Sequence, residues 1–346
     1  MKKQLALLTL TALAAATAAT AQAQTSSVTL FGIVDASLRQ VKNGGDSVSS
    51  LASGGINSSR LGVRGVEDLG GGLRAGFWLE HGFNIDTGTQ TDSGRFWNRR
   101  STVSLIGGFG EIRLGRDFTP IYTGWADFDP FGDNGVAAGG KFSDRLGSNV
   151  DTLTRSDNQV SYFLPSMGGV YGQVSVAAGE GVAGRKMVAG RVGYSAGPLN
   201  VSLAIGNTEV TPTAGSDKHD VIVVGGAYDF GAVRLLASWR SNEFGAGQVD
   251  VTSIGATVPL GQGSLRASYT RADGQGRTPA GTLIADNDAS QIALGYVHSL
   301  SKRTSLYATY ARVANDGRAG YAVGTPPAIT GGATSTGYEF GVRHSF

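Results

Sequence analysis

Apolar and polar side chains alternate along most of the chain after residue 26, in segments of roughly ten residues. One such segment carries Val201, Leu203 and Ile205 on one face. Ser202 and Ala204 occupy the other face of the same segment. This period of two predicts β-strands, because successive side chains of a strand point to opposite sides. The pattern therefore predicts an all-β protein.

Sixteen segments carry this alternation. They are Val28–Val41, Ser59–Glu67, Leu73–Phe83, Arg95–Ile106, Glu111–Asp117, Asn158–Pro165, Val170–Ala178, Val188–Ser195, Leu199–Thr208, Asp220–Phe230, Val233–Ser241, Asp250–Leu260, Ser264–Arg271, Ser290–His298, Thr304–Val313 and Thr336–Phe346. Seven of the connections are tight turns, six of them Gly-rich and one a Ser-Lys-Arg turn, and they alternate with eight long polar loops. The long ones are Lys42–Ser58, Asn84–Gly94, Phe118–Asp157, Gly179–Met187, Glu209–His219, Asn242–Val249, Ala272–Ala289 and Ala314–Ser335. Barrels that cross a bilayer sort their connections in this way, with short periplasmic turns and long extracellular loops.

The second face of the predicted strands carries charge. In the last segment Tyr338, Phe340 and Val342 lie on one face. Glu339 and Arg343 lie on the other. Charges in a dry core would cost several kcal/mol each, so the charged face must be wet. We expect a transmembrane 16-stranded antiparallel β-barrel with a lipid face and a water-filled lumen, closed because lipid cannot satisfy an open strand edge.

The first 23 residues have the features of a cleaved signal peptide, and we expect a single barrel domain over residues 24–346. Lys2 and Lys3 precede an apolar run over Leu5–Ala16, and Ala21 and Ala23 form an A-x-A cleavage site. Removing the two lysines lowers the formal net charge from +2 to zero, which gives no reason to expect a nucleic-acid partner. The sequence has no Cys and no mature stretch of 18 apolar residues, which excludes disulfides and argues against membrane-spanning helices.

The longest connection, Phe118–Asp157, is the candidate functional loop, because connections of this length are rarely only linkers. Its charged side chains include Asp127, Asp129, Asp133, Asp144 and Arg155. A barrel of sixteen strands is too wide for its own side chains to fill, so a loop that folds inward would narrow the channel.

Several motifs, taken in order, resemble the general porins of the Gram-negative outer membrane, and most closely those of betaproteobacteria. The motifs are Val28-Thr29-Leu30-Phe31-Gly32-Ile33-Val34-Asp35, Ser59-Arg60-Leu61-Gly62-Val63-Arg64-Gly65, Glu67-Asp68-Leu69-Gly70-Gly71-Gly72-Leu73, Asn98-Arg99-Arg100, Gly108-Phe109-Gly110, Leu114-Gly115-Arg116 and the aromatic C-terminal strand. The resemblance implies an outer-membrane homotrimer in contact with lipid and lipopolysaccharide, whose third extracellular loop folds into the pore. It also implies that the outer-membrane assembly machinery reads the C-terminal strand, through Tyr338, Phe340, Val342 and Phe346.

The resemblance further implies a constriction at which wall arginines face loop carboxylates. The matching wall residues are Arg60, Arg99 and Arg155, with Glu80 among them. Strand parity places Glu80 inward but favours Arg100 over Arg99, so both arginines stay candidates. The loop acids that could face them are Asp127, Asp129 and Asp133. An excess of arginine would favour small anions, and passive diffusion of small hydrophilic solutes needs no cofactor and no metal.

Two other functions remain open at this point. A channel specific for one class of solute would stack aromatic rings along the lumen, and Trp78, Tyr171 and Tyr307 have the parity to do so. A hydrolase embedded in the barrel would need an acid, a base and a nucleophile near one rim, and the scattered His residues give no such group. We therefore expect a channel and not an enzyme.

Overall fold

The computed structural model describes residues 26–213 and 216–346, so the predicted signal peptide lies outside the described residues. The strands are β1 (Ser27–Asn43), β2 (Asp46–Ser53), β3 (Arg60–Gly70), β4 (Leu73–Gly82), β5 (Arg100–Gly107), β6 (Gly110–Phe118), β7 (Arg155–Phe163), β8 (Val170–Ala177), β9 (Lys186–Ala196), β10 (Leu199–Thr213), β11 (Ser216–Asp229), β12 (Arg234–Phe244), β13 (Gly247–Leu260), β14 (Gly263–Gly276), β15 (Ala289–Ser299), β16 (Thr304–Asn315) and β17 (Ser335–Ser345). One α-helix, α1 (Pro120–Ala126), and the 3₁₀ turns Gly135–Ala137 and Gly140–Phe142 lie between β6 and β7. None of the helices in the described ranges is long and apolar enough to cross a membrane.

The strands form one closed antiparallel barrel. Each strand from β3 to β17 pairs with its neighbours along the chain, and β17 pairs with β1 to complete the ring. The opposite edge of β1 pairs first with β3 and then with β2, so these two segments share one position in the wall. The seventeen segments therefore fill sixteen positions, and the predicted 16-stranded barrel is confirmed.

Several predicted boundaries were wrong, mostly at the extracellular ends. The predicted loop Lys42–Ser58 contains β2, and the loops Glu209–His219 and Asn242–Val249 are mostly continuations of the strands beside them. In contrast, residues 95–99 precede β5 instead of forming its start. Strands that rise above the bilayer need no lipid face, so they lack the apolar alternation by which the others were found.

The two faces of the wall have the predicted chemistry. Large apolar side chains are exposed on the outer face, among them Leu30, Val103, Ile254, Leu294 and Phe340. The inner face carries polar and charged side chains, as Glu80 on β4 and Arg240 on β12 illustrate. This distribution suits a bilayer outside and water inside.

The hydrophobic core lies inside the barrel, between the connection that follows β6 and the wall. Ile121 and Trp125 of α1 pack on inward residues of β8–β11, such as Ala204 and Val223. Farther along the connection, Phe142 packs in a second cluster on the opposite part of the wall. This connection, residues 119–154 and hereafter the pore loop, therefore follows the inner wall instead of crossing open water.

Candidate functional site

The pore loop leaves the wall at a helix start that is encoded locally. Thr119 caps α1 by accepting the backbone N–H of Tyr122 at 3.4 Å, and Pro120 occupies the first helical turn. Three wall side chains then hold the loop. Arg240 donates to the Gly139 carbonyl at 2.8 Å, Gln291 donates to the Ala137 carbonyl at 3.0 Å, and Glu339 accepts the N–H of Val136 at 3.3 Å. The loop is thereby fixed to β12, β15 and β17, which leaves the β3–β7 wall facing the lumen.

On that free wall the structure brings Glu80 and three arginines together. The Glu80 carboxylate accepts from Arg99 Nε at 2.5 Å and from Arg60 Nη1 at 3.3 Å. Its second oxygen accepts the Trp78 indole N–H at 3.1 Å. Arg155 donates to the backbone carbonyl of Arg99 at 2.8 Å. The structure thus assembles the four wall residues that the sequence singled out, with three guanidinium groups around one carboxylate.

Arg99 and Arg100 both point into the lumen, at different heights. Arg99 precedes β5, so strand parity does not govern it. Asn98 fixes the backbone there by bonding the N–H and the carbonyl of Gly82. Arg100 lies toward the short turns, where it bonds Thr102 at 3.1 Å and lies 3.5 Å from Asp117. The two arginines kept as candidates are therefore both lumenal, and only Arg99 contacts Glu80.

The loop acids Asp127, Asp129 and Asp133 are arranged differently from the expectation that they face the wall arginines. Asp127 pairs with Arg191 of β9 at 2.6 Å, and so does not contact the arginines around Glu80. Asp129 accepts the backbone N–H groups of Phe131 and Asp133, each at 2.9 Å. Asp133 accepts the N–H of Gly140 at 2.7 Å. Asp129 and Asp133 therefore shape the loop by accepting its backbone N–H groups.

Tyr122 is the residue that sequence reasoning missed. Its hydroxyl donates to Asp133 at 3.2 Å, and its ring stacks on Phe118 at 4.7 Å. The Arg155 guanidinium lies 4.0 Å from the centroid of the same Phe118 ring. A stack of Arg155, Phe118 and Tyr122 therefore joins the wall cluster to the loop acid. The spacing of the two aromatic residues, four apart across a helix start, is the sequence signal that could have found it.

Comparisons with known proteins agree with this geometry. A family profile described as Gram-negative porin matches residues 9–318. The chain belongs to the Gram-negative porin family. It is 37% identical to outer membrane porin protein 32 of Delftia acidovorans, over 93% of this chain and 94% of that protein. It is 29% identical to an outer membrane porin protein of Bordetella pertussis, over 94% and 95% of the two chains.

Among solved structures, the anion-selective porin from Comamonas acidovorans superimposes with a TM-score of 0.84 and 35% sequence identity. The match covers 93% of this chain and all of that one. The family and the closed barrel place this porin in the outer membrane of a Gram-negative bacterium.

The ionisable groups of the pore loop are perturbed by burial. Burial, helped by the nearby Asp129 charge, raises the pKa of Asp133 to about 6. Burial raises the pKa of Asp129 as well. Lys141, whose ammonium donates to Gln291 at 2.6 Å, has its pKa lowered by burial to about 8. Both titrations fall between pH 5 and pH 9, so the charge of the pore loop depends on pH.

The three rings that could have formed an aromatic path lie in separate surroundings. Trp78 is close to two arginines and bonds Glu80. Tyr171 donates to Asn200 at 2.9 Å, on another part of the wall. Tyr307 is buried and donates to Asp35. The arrangement offers no continuous stacking surface, so it does not favour a channel built for one aromatic-binding solute class. Within the described ranges, no group of three or more His, Cys, Asp or Glu side chains could hold a metal ion.

Proposed function

We propose that this porin is a water-filled channel for passive diffusion of small hydrophilic solutes and ions, with a modest preference for anions. The observation that carries the proposal is an excess of arginine on the β3–β7 wall, at the proposed constriction of the channel, hereafter the waist. There Arg60, Arg99 and Arg155 lie around the single carboxylate of Glu80. Guanidinium groups stay protonated at any working pH, so the excess positive charge is permanent. A ring of fixed positive charge lowers the barrier for anions relative to cations.

The pore loop supplies negative charge opposite the positive wall. Asp133 and Asp129 lie on the loop, and Tyr122 stands between Asp133 and the wall arginines. Positive wall and negative loop create a field across the channel, which orients polar solutes and orders water. Apolar solutes must disrupt that water, so we expect them to pass slowly. The anion selectivity that the Comamonas relative's description records supports the preference proposed for this chain.

The preference can be measured as a reversal potential in a planar bilayer under a KCl gradient. We expect the sign that reports higher permeability for chloride, and Arg155→Gln should reduce the anion-to-cation permeability ratio severalfold. Arg155 is suited to this test because it bonds a backbone carbonyl, so its loss leaves no carboxylate unpaired. Arg303→Gln, in an exposed turn, is the matched control and should change nothing. A cation preference in the unmodified porin would contradict the proposal.

We also propose that the porin assembles as a homotrimer in contact with outer-membrane lipid and lipopolysaccharide. The broad exposed apolar outer face supports contact with lipid, and the family resemblance supports the trimer. The C-terminal strand presents Tyr338, Phe340, Val342 and Phe346 on the outside, where the outer-membrane assembly machinery could read them. These side chains are between 44% and 63% exposed.

A further inference from the structure

A cavity of about 410 Å³ lies on the inner wall of β3–β6, on the short-turn side of Glu80. Its lining includes Arg64, Trp78, Arg100, Glu111 and Arg113. Arg64 and Arg60 are four residues apart on β3, which separates them by roughly 13 Å along the strand. The cavity therefore adjoins the arginine cluster around Glu80 on its short-turn side, and Trp78, which lines the cavity, also bonds Glu80.

The arginines of this cavity differ in how well they are compensated. Arg113 pairs with Glu111 at 2.8 Å and with Asp117 at 2.7 Å, and Arg100 shares Asp117. No carboxylate among residues 26–213 and 216–346 forms an ion pair with Arg64. Three guanidinium groups thus face two carboxylates, and the uncompensated charge belongs to Arg64.

Arg64 is nevertheless held in place. Its guanidinium carbon lies 4.9 Å from the Trp78 ring centroid and 5.3 Å from that of Phe31. These two rings contact each other edge to face at 5.1 Å, which gives the arginine a fixed apolar support. These cation–π contacts restrain the exposed Arg64 guanidinium without occupying its N–H donors. Arg64 therefore presents a preoriented fork of donors to the cavity.

We propose that this cavity is a binding site, on the periplasmic side of the waist, for small solutes that carry a carboxylate group. Arg64 binds the carboxylate with two parallel hydrogen bonds, the geometry for which a guanidinium is suited. Glu111 and Asp117 hold Arg113 and Arg100 in place and limit the net charge, so that a bound solute can leave again. The proposal extends the proposed anion preference and rests on it.

Malonate is a suitable probe, because it is a small dicarboxylate that can be added to one side of a bilayer. We expect malonate on the periplasmic side to interrupt the chloride current of the unmodified porin. Arg64→Gln should raise the malonate concentration needed for half-block by roughly tenfold, the effect of losing a charge-assisted pair of hydrogen bonds. Arg64→Lys retains the charge but loses the fork, so it should weaken the block by an intermediate factor. Arg234→Gln, on the far wall at β12, removes the same charge elsewhere and should leave the block unchanged.

Three results would overturn the proposed binding site: no block by malonate, a block that Arg64→Gln leaves unchanged, or an equal loss of block in Arg64→Gln and Arg234→Gln. If Arg64→Gln does not insert, Arg64→Lys decides alone, and an unchanged block then overturns the proposal. The reversal potential of the unmodified porin, measured in the same bilayers, tests the general proposal separately. An anion preference without the expected block would count against the cavity only.

Discussion

At the scale of single residues, Glu80 organises the arginine cluster on the β3–β7 wall. Its two oxygens accept from Arg60, Arg99 and Trp78, so one carboxylate aligns two guanidinium groups that would otherwise repel each other. Arg155 completes the cluster through the Arg99 carbonyl without using the carboxylate. The wall therefore keeps an excess positive charge while its members stay ordered.

The two titrating groups of the pore loop, Asp133 and Lys141, give a prediction about pH. As pH falls through about 6, Asp133 gains a proton and the loop loses a negative charge. As pH rises through about 8, Lys141 loses its proton and the loop loses a positive charge. Both steps have the same sign, so the anion-to-cation permeability ratio should fall steadily from pH 5 to pH 9. Reversal potentials recorded across this range would show it.

Asp133→Asn isolates the lower step of this titration. At neutral pH the variant should have the permeability ratio that the unmodified porin reaches only in acid, and the step near pH 6 should be absent. Asp286→Asn serves as the control, because Asp286 is exposed in an extracellular loop and, like Asp133, has a positive φ. A step near pH 6 that persists in Asp133→Asn would assign the titration to another group.

The sequence predicted the wall residues better than the loop residues, for a physical reason. Glu80 and Arg60 lie where regular strands fix the direction of each side chain, so parity decides their face. Asp127 and Asp133 lie where no period exists, so Arg191 of β9 sets the direction of Asp127, and contacts within the pore loop set that of Asp133. Asp127 meets Arg191, and Tyr122 meets Asp133, through contacts that no local pattern encodes.

At the scale of elements, inward-facing glycines make room for the pore loop. A side-chain carbon at Gly225 would overlap the ring of Phe128. The same overlap would occur between Gly255 and Pro130, and between Gly295 and Phe131. These glycines lie on β11, β13 and β15, so they form a groove along the inner wall. The path of the loop is thus encoded in the strands as much as in the loop itself.

Gly225 and Gly226 form a matched pair for testing this groove. Gly225→Ala should push Phe128 from its site toward the lumen, at a cost of about 1–3 kcal/mol for overpacking, and should lower the single-channel conductance. Gly226→Ala on the same strand has its nearest contact at an ordinary 3.5 Å, on the Val201 side chain, and should conduct normally. Equal conductance in the two variants would show that the groove does not set the position of the loop.

The element boundaries show where alternation fails as a signal. Strands in the bilayer, such as β8 and β15, were predicted closely because lipid selects apolar residues at every second position. β2 was missed because its residues are mostly exposed on both faces. Its pairing with β1 is nevertheless continuous over eight residue pairs. Backbone hydrogen bonds hold most of this segment, and they leave no trace in the side-chain pattern.

At the scale of the whole molecule, closure joins the two ends of the described chain. β17 pairs with β1 from Ile33 opposite Ser345 to Asn43 opposite Ser335. Phe346 extends this seam, because its N–H and carbonyl each bond Gly32 at 3.1 Å. The absence of a side chain at Gly32 makes room for the Phe346 ring. The terminal residue is therefore part of the wall as well as an exposed aromatic group on the outer face.

Deleting Phe346 should reduce the amount of inserted porin more than it changes the channels that do insert. The arginines around Glu80 depend on β3–β7 and on the pore loop, so losing one residue at the periplasmic end of the seam leaves them in place. We expect a weak folded, trimeric band in semi-native gels of outer membranes, and a normal single-channel conductance. Phe346→Tyr retains both the ring and the backbone bonds, so it should insert nearly as well as the unmodified porin.

Phe346→Ala separates the two roles of this residue, because it retains the backbone seam and loses only the ring. If Phe346→Ala inserts normally while the deletion does not, closure of the wall is what matters, and the proposed reading of the aromatic terminus by the assembly machinery fails.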